Sequence, residues 1–232
     1  MEKLSMNVLI YGATGGIGQA VCQALIKRHA NLFVLGRSSA KLKSLQERLN
    51  LKKEQVFQVG PLCDPTQFKK VQNWIKSQST PFQTGIHMAG MPLFKKLANV
   101  SLEEWNQVMD INLTSAFCFY RLFHLARDQK GYELVFLSSA STSQTWMKNG
   151  LYGASKAGLD YFAKTLQTEV KHENGRVWLY KPGSVNTDFF KQTKSHLPPN
   201  KMIDPEELAE IIAQNLLIPK INYFPEIVIR GD

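Results

Sequence analysis

Tyr152-Gly153-Ala154-Ser155-Lys156 sets a phenol and an ammonium four residues apart. On a helix that spacing is one turn along one face. An unperturbed phenol, with a pKa near ~10, is a poor acid–base group at neutral pH. A cation one turn away favours the phenolate and lowers that pKa. Taken alone the pair says little, because Tyr and Lys are common on amphipathic helices. Two serines end the apolar run Val135-Phe136-Leu137-Ser138-Ser139, and Ser139 precedes Tyr152 by thirteen residues. A hydroxyl there can donate to a substrate carbonyl and hold it against the phenol. Alternation along a strand turns Ser138 to the other side. Upstream, Asp110-Ile111-Asn112-Leu113 puts an Asn inside a long apolar helical segment, where it is mildly unfavourable.

A second group of residues can hold phosphate. Val8-Leu9-Ile10-Tyr11 runs into Gly12-Ala13-Thr14-Gly15-Gly16-Ile17-Gly18, and an amphipathic segment follows. A dinucleotide pyrophosphate needs a tight turn, main-chain amides with no side chain in the way, and a helix N-terminus aimed at it. Gly12 supplies the turn, Gly16 the close approach and Gly18 the packing of helix on strand. A glycine pattern alone is weak evidence; its place between the first strand and the first helix makes it specific. Farther on, the apolar run Leu32–Leu35 ends in Gly36-Arg37-Ser38. An NAD-selective site carries a carboxylate near this strand end. Gly36 stands there instead, and the guanidinium of Arg37 can pair with a 2′-phosphate, with a hydroxyl from Ser38 or Ser39. An exposed Arg capping a turn would look the same, so the missing acid is the stronger half of the argument. Together they predict a preference for NADPH over NADH.

These residues need a framework. Strands are predicted at Asn7–Tyr11, Leu32–Leu35, Gln55–Val59, Gly85–His87, Glu133–Leu137, Arg176–Tyr180 and Glu226–Ile229. Helices are predicted near Ile17–Arg28, Ala40–Leu49, Pro65–Ser77, Leu102–Arg127, Leu151–Lys171 and Pro205–Leu217. Ser101-Leu102-Glu103-Glu104 reads as a capping box, and Asp204-Pro205 puts Pro at a first helical position. Strand and helix in alternation imply a parallel α/β sheet of seven strands, doubly wound in the Rossmann manner, with helices on both faces. No repeat or linker divides residues 1–232, so one domain is expected. The polar segment Lys191–Met202, with Pro198-Pro199, reads as a mobile surface loop that can act as a lid.

Composition narrows the class further. Of 232 residues, 44% are hydrophobic and 20% charged, which excludes a disordered or low-complexity chain. No apolar run is long enough for a membrane span, and the run near the N-terminus is too short for a signal-peptide core. Cys22, Cys63 and Cys118 have no metal-type spacing and read as small hydrophobes in a reducing compartment. A cytoplasmic protein with no metal site is expected. The net charge of +9 is spread as scattered basic pairs with no long tract, so nucleic-acid binding is not expected.

The spacing Gly-x3-Gly-x-Gly, the Tyr-x-x-x-Lys pair, the serine before it and the upstream Asn resemble the short-chain dehydrogenase/reductase superfamily, including its NADPH-dependent 3-oxoacyl-(acyl-carrier-protein) reductases. The resemblance runs from residue 7 to about 230. It implies a catalytic tetrad of Asn112, Ser139, Tyr152 and Lys156. The Asn would interrupt its helix and hold a water that relays protons from the Lys, and the Lys would also bind the nicotinamide ribose. Pro182-Gly183-Ser184-Val185-Asn186-Thr187 matches the family's Pro-Gly-x-Val-x-Thr. Pro182, Gly183, the backbone of Val185 and the hydroxyl of Thr187 would then meet the nicotinamide end. Thr14, Gly15 and Ile17 join the glycines at the phosphates, and Leu62, Ala89 and Gly90 complete the cofactor set.

The sequence departs from that pattern in places. Tyr11 replaces the usual Thr or Ser, and His87-Met88-Ala89-Gly90 replaces Asn-Asn-Ala-Gly. His87 reads as a hydrogen bonder at a strand end. Pro61 falls where an adenine-binding acid is often found, while Asp64 reads as a helix cap. The resemblance implies NADP(H)-dependent hydride transfer between a carbonyl and an alcohol, with Tyr152 as general acid/base. A 3-oxoacyl thioester, small or carrier-linked, is the family-level guess for the substrate. The alternative is a dinucleotide-sensing or scaffold protein of the same fold without turnover. The segment Ala140–Gly150, with Trp146 and Met147, and the loop from Asp188 to Met202 are expected to line a partly hydrophobic pocket. The apolar helices 102–127 and 151–171 point to a homodimer or homotetramer.

Overall fold

The computed structural model describes residues 6–191, 198–218 and 223–231. Seven strands form one parallel sheet in the order β3-β2-β1-β4-β5-β6-β7. They are β1 (Asn7–Tyr11), β2 (Asn31–Gly36), β3 (Val56–Gln58), β4 (Thr84–His87), β5 (Tyr132–Leu137), β6 (Gly175–Pro182) and β7 (Glu226–Ile229). The helices are α1 (Gly16–Lys27), α2 (Ser39–Leu49), α3 (Pro65–Lys76), α4 (Leu102–Met109), α5 (Ser115–His124), α6 (Gly150–Glu169), α7 (Asp188–Lys191) and α8 (Pro205–Asn215). The order reverses between β1 and β4, so the carboxyl ends of these two strands open a crevice.

Alternation along each strand feeds two separate cores. Val8 and Ile10 of β1 and Leu32 and Val34 of β2 face α1 and α8, meeting Val21, Leu25, Leu208 and Ile212. Leu9, Phe33 and Leu35 face the opposite way. They pack with Ile75 of α3, Phe119 and Phe123 of α5, and Leu159 and Ala163 of α6. Burial on both faces explains why the strands read as near-continuous apolar runs.

Local chemistry sets the helix starts. The Ser101 hydroxyl accepts from Glu104 N at 3.1 Å while the Glu104 carboxylate accepts from Ser101 N at 2.9 Å, as the capping box requires. Asp64 accepts from Thr66 N and Gln67 N at 2.8 and 2.9 Å, and Asp204 from Glu206 N at 2.7 Å. The segment read as one helix over 102–127 is two, α4 and α5, joined by a wider π-helical turn at Asp110–Thr114. Asn112 sits inside that turn, where the expected interruption falls. Residues 192–197 of the predicted lid loop lie outside the described residues.

Candidate active site

A cavity of about 1040 Å³ opens over the carboxyl ends of β1, β2, β4, β5 and β6. The glycine turn forms one wall. Gly12 adopts φ +96°, and a Cβ built on it would lie 2.5 Å from Ala89 N, so a larger residue there would collide with the end of β4. A Cβ on Gly18 would meet the main chain of Gly12 and lie 2.9 Å from Ala13 Cα, which is why α1 can close so tightly on β1. Gly15 precedes α1 with no side-chain cap, so the first amides of this 12-residue helix meet no capping side chain.

At the β2 end the lining continues through Gly36, Arg37 and Ser38. Ser38 caps α2 by accepting from Lys41 N at 3.4 Å, which leaves its own hydrogen available to donate. Lys41, Ser44 and Arg48 also line the cavity from one face of α2, and Arg48 is tied to Gln19 at 2.8 Å. Sequence reasoning missed these three; their i, i+3, i+7 spacing behind the strand end was the available signal. Among the lining residues the cations are Arg37, Lys41, Arg48 and Lys156, and the one acid is Asp188. A cavity of this charge suits an anionic occupant.

The other end gathers three of the four residues of the expected tetrad. Tyr152 and Lys156 line the cavity from α6, and Ser139 from the end of β5. Tyr152 is buried, and desolvation pushes its phenol up to about 12, with the facing Ser139 hydroxyl pulling the other way. The expected lowering by Lys156 is therefore not what the structure shows: Lys156 Nζ donates to the carbonyl of Leu137 at 2.8 Å. Burial lowers Lys156 to about 8. Ser139 Oγ accepts from Ser141 N at 3.1 Å, which fixes the oxygen and keeps its hydrogen for another acceptor. Ser138 lines the cavity as well, contrary to the simple alternation expected of it, but its hydroxyl is spent in donating to the Asp160 carboxylate.

Asn112 is fully buried and does not line the cavity. Its Oδ1 accepts from Met91 N at 2.8 Å, and its Nδ2 donates to Met91 O at 3.1 Å and Ser155 Oγ at 2.9 Å. The side chain thus clamps the segment after β4 to α6. Leu62 is likewise fully buried and outside the lining. Ala89, Gly90, Pro182, Gly183, Val185 and Thr187 all line it. Ser184 O and Asn186 N both pair with Ile203, which turns the Val185 peptide groups the other way. His87 is fully buried and bonded through Nε2 to Ser115 Oγ at 2.8 Å. Ser115 gives its own hydrogen to Ile111 O, so His87 Nε2 is the donor in that bond.

The expected pocket lining from Ala140–Gly150 is not found. Trp146 is 53% and Met147 82% exposed, and neither faces the cavity. Lys95 N bonds Lys148 O at 2.9 Å, which sets that loop against the segment following β4. Met91, Pro92, Gln107 and Ile111 take the lining positions instead, with Asp188 and Phe189 from the later loop. Phe94 and Phe189 pack on the Tyr152 ring, with centroids at 5.5 and 6.0 Å. No group of three or more His, Cys, Asp or Glu is gathered to hold a metal among the described residues, and no helix there is long and apolar enough to cross a membrane.

Comparison with known proteins gives a consistent picture. An uncharacterised oxidoreductase from Staphylococcus epidermidis is 24% identical over 236 positions, covering 99% of this chain and 99% of the relative. A tropinone reductase homolog from Arabidopsis thaliana is 26% identical, covering 97% of this chain and 90% of that one. An alcohol dehydrogenase from the archaeon Thermococcus sibiricus, solved with 5-hydroxy-NADP, has a TM-score of 0.85 at 23% identity, covering 97% and 96% of the two chains. That last likeness shows the fold. A family model described as short chain dehydrogenase matches residues 6–198, a span that contains every residue lining the cavity. On that match, the chain belongs to the short-chain dehydrogenase family of nicotinamide-dinucleotide-dependent oxidoreductases.

Proposed function

We propose that the protein reduces a ketone or aldehyde with NADPH, with Tyr152 as the proton donor. The observation that carries this reading is the meeting of the Ser139 hydroxyl and the Tyr152 phenol in the cavity whose far end is the glycine turn and Arg37. The residues present fit the cofactor. Gly12 leaves a cradle that a Cβ would fill, the lining is rich in cations, and no acid stands at Gly36. The NADP analogue bound by the Thermococcus enzyme supports the same choice.

Bound NADPH supplies hydride to the carbonyl carbon. The chain's own residues do the rest. Gly12–Gly18 and the start of α1 hold the pyrophosphate, and Arg37 with Ser38 pairs with the 2′-phosphate, helped by Lys41 and Arg48. Ser139 donates to the carbonyl oxygen. Tyr152, kept protonated by burial, gives its phenolic proton to that oxygen as it gains charge. Lys156, the one cation lining this end of the cavity, would then balance the charge left on the phenolate, an effect not registered at the resting phenol. Asn112 acts by holding Met91 and Ser155 in place, with both of its amide hydrogens given to Met91 O and Ser155 Oγ. Phe94 and Phe189 flank the phenol, so the substrate is a carbonyl compound with an apolar or aromatic part beside the reacting carbon. A 3-oxoacyl thioester is one member of that class.

The same reading takes the chain as one domain, places it in the cytoplasm with its cysteines free, and expects a dimer or tetramer. Along the two apolar helical segments that suggested assembly, Phe119, Phe123, Leu159 and Leu166 cover the sheet, and Tyr120 packs on Phe162. Phe117 remains 47% exposed, and Tyr161, Leu102 and Trp105 join it on the outer helix surfaces. Purified protein mixed with NADPH and a panel of aliphatic and aromatic carbonyl compounds tests the reading. Substrate-dependent NADPH oxidation supports it. Binding of NADPH with no oxidation by any compound favours the sensor or scaffold alternative.

A further inference from the structure

Three side chains follow one another at one-turn intervals along α6: Tyr152, Lys156 and Asp160. The function proposed above uses the first two. Asp160 is 7% exposed and accepts hydrogen bonds from the Ser138 hydroxyl and, at 2.9 Å, from the Lys181 ammonium. Ser138 immediately precedes Ser139 at the end of β5. Lys181 immediately precedes Pro182, where β6 gives way to the segment Pro182–Thr187. Lys181 is met on its other side by Glu226 of β7 at 3.1 Å, and Glu226 by Lys164 of α6 at 2.8 Å. One buried carboxylate therefore joins the helix of Tyr152 and Lys156 to the two strand ends that carry Ser139 and the nicotinamide-side loop. Stability alone does not account for such a group, because a buried ion pair is often no more stabilising than a well-packed apolar pair.

We propose, resting on the reading of this site as a reductase, that Asp160 is a positioning residue: with Ser138 and Lys181 it sets the ends of β5 and β6 against α6, and its negative charge, one turn beyond Lys156, balances that buried ammonium. The groups that face Lys156 are few. Tyr152 and Asp160 come from its own helix. His87 comes from β4 and is held neutral by burial, β5 offers the Leu137 carbonyl, and β6 contributes Lys181, whose charge Asp160 and Glu226 meet. Desolvation works against the charged form of Lys156, and Asp160 is the carboxylate that works for it.

The test reads Lys156 directly, without turnover. In protein carrying 13C-labelled lysine and no cofactor, the Lys156 signal is identified by its loss in Lys156→Arg and followed against pH. Asp160→Asn keeps the shape and removes the charge; its Lys156 midpoint is expected at least about half a pH unit below wild type. Lys181→Gln removes the cation that shares Asp160, and its midpoint is expected above wild type. If Asp160→Asn does not fold, the sign in Lys181→Gln decides: a rise supports the proposal, and no change or a fall overturns it. Equal midpoints in wild type and a folded Asp160→Asn also overturn it. Because no reaction is measured, failure here is separate from failure to reduce any carbonyl. Where a substrate is found, the kcat profile of Asp160→Asn is expected to lose its alkaline side first, at least about twofold below wild type at pH ~8 and converging near pH ~6. A loss equal at every pH marks a merely structural residue and contradicts the proposal.

Discussion

The ammonium of Lys156 donates to the main-chain carbonyl of Leu137 at 2.8 Å, two residues before Ser139. This bond links α6, which carries Tyr152 one turn before Lys156, to the end of β5. It also keeps the ammonium in a place 4% exposed, where burial lowers it from the ordinary lysine value to about 8.

The direction of the pH effect follows. Lys156 carries its charge below about 8 and loses it above. A phenolate without a neighbouring cation is less stable, so transfer of the Tyr152 proton slows as Lys156 deprotonates. Turnover at saturating substrate is therefore expected to fall as pH rises through about 8, well before a free lysine would titrate. A kcat profile flat to pH ~10 would show that the Lys156 charge is not needed.

His87 makes a prediction about stability. Complete burial lowers its imidazole from 6.5 to about 3, so the folded protein resists a proton that the unfolded chain accepts. A folded-state pKa below the unfolded one gives stability that is present above pH 6.5 and lost as pH falls toward about 3. Urea midpoints measured at pH ~7 and pH ~5 should show this loss, and His87→Asn should show less of it. An equal pH dependence in both proteins would mean that His87 is not the group responsible.

Cofactor choice tests the β2 end. Arg37 lines the cavity beside Gly36 and has no ion-pair partner among the described residues. A charged hydrogen bond to the 2′-phosphate is worth about 1.5–3 kcal/mol, roughly ten- to a hundred-fold in affinity. Titration of both reduced cofactors should show that preference for NADPH in the wild type and its loss in Arg37→Ala. If the Ala variant retains it, Lys41 and Arg48 carry the selectivity.

Assembly tests the outer helix faces. Phe117, Tyr161 and Leu102 are 47%, 77% and 75% exposed, more apolar surface than α4 to α6 need in a lone subunit. Light scattering at micromolar concentration should give a dimer or tetramer mass, reduced by Phe117→Glu. A monomer mass for the wild type would remove this part of the account.

All seven strands and the six long helical segments were legible in the sequence: the inner strands, buried on both faces, read as apolar runs, the half-buried edge strands β3 and β7 as shorter mixed ones, and the helix caps use recognisable residues. The glycine turn was legible for a related reason: at Gly12 and Gly18 a side chain would strike main chain, so the residue type records the geometry. Other features were not. The split at Asp110–Thr114 lies within a continuous apolar segment, and only Asn112 marked it. Lys41 and Arg48 read as ordinary charges on an exposed helix face, since nothing local says that this face looks into a cavity. The loop of Trp146 and Met147 is held against the segment after β4 by a long-range main-chain bond, Lys95 to Lys148, which leaves no trace in residue type. The raised phenol of Tyr152 was missed because desolvation of a side chain is a property of the packed site, while the neighbouring Lys156 was visible as a spacing.

The most direct test of the central claim is the rate of NADPH oxidation by a carbonyl substrate in wild type and in Tyr152→Phe, with NADPH affinity measured in both. The phenyl ring keeps the packing against Phe94 and Phe189 and removes the transferable proton. Turnover is expected to fall by at least ~10²-fold, with cofactor affinity little changed. Near-normal turnover in Tyr152→Phe would contradict the assignment of Tyr152 as the proton donor and, with it, the account of this site.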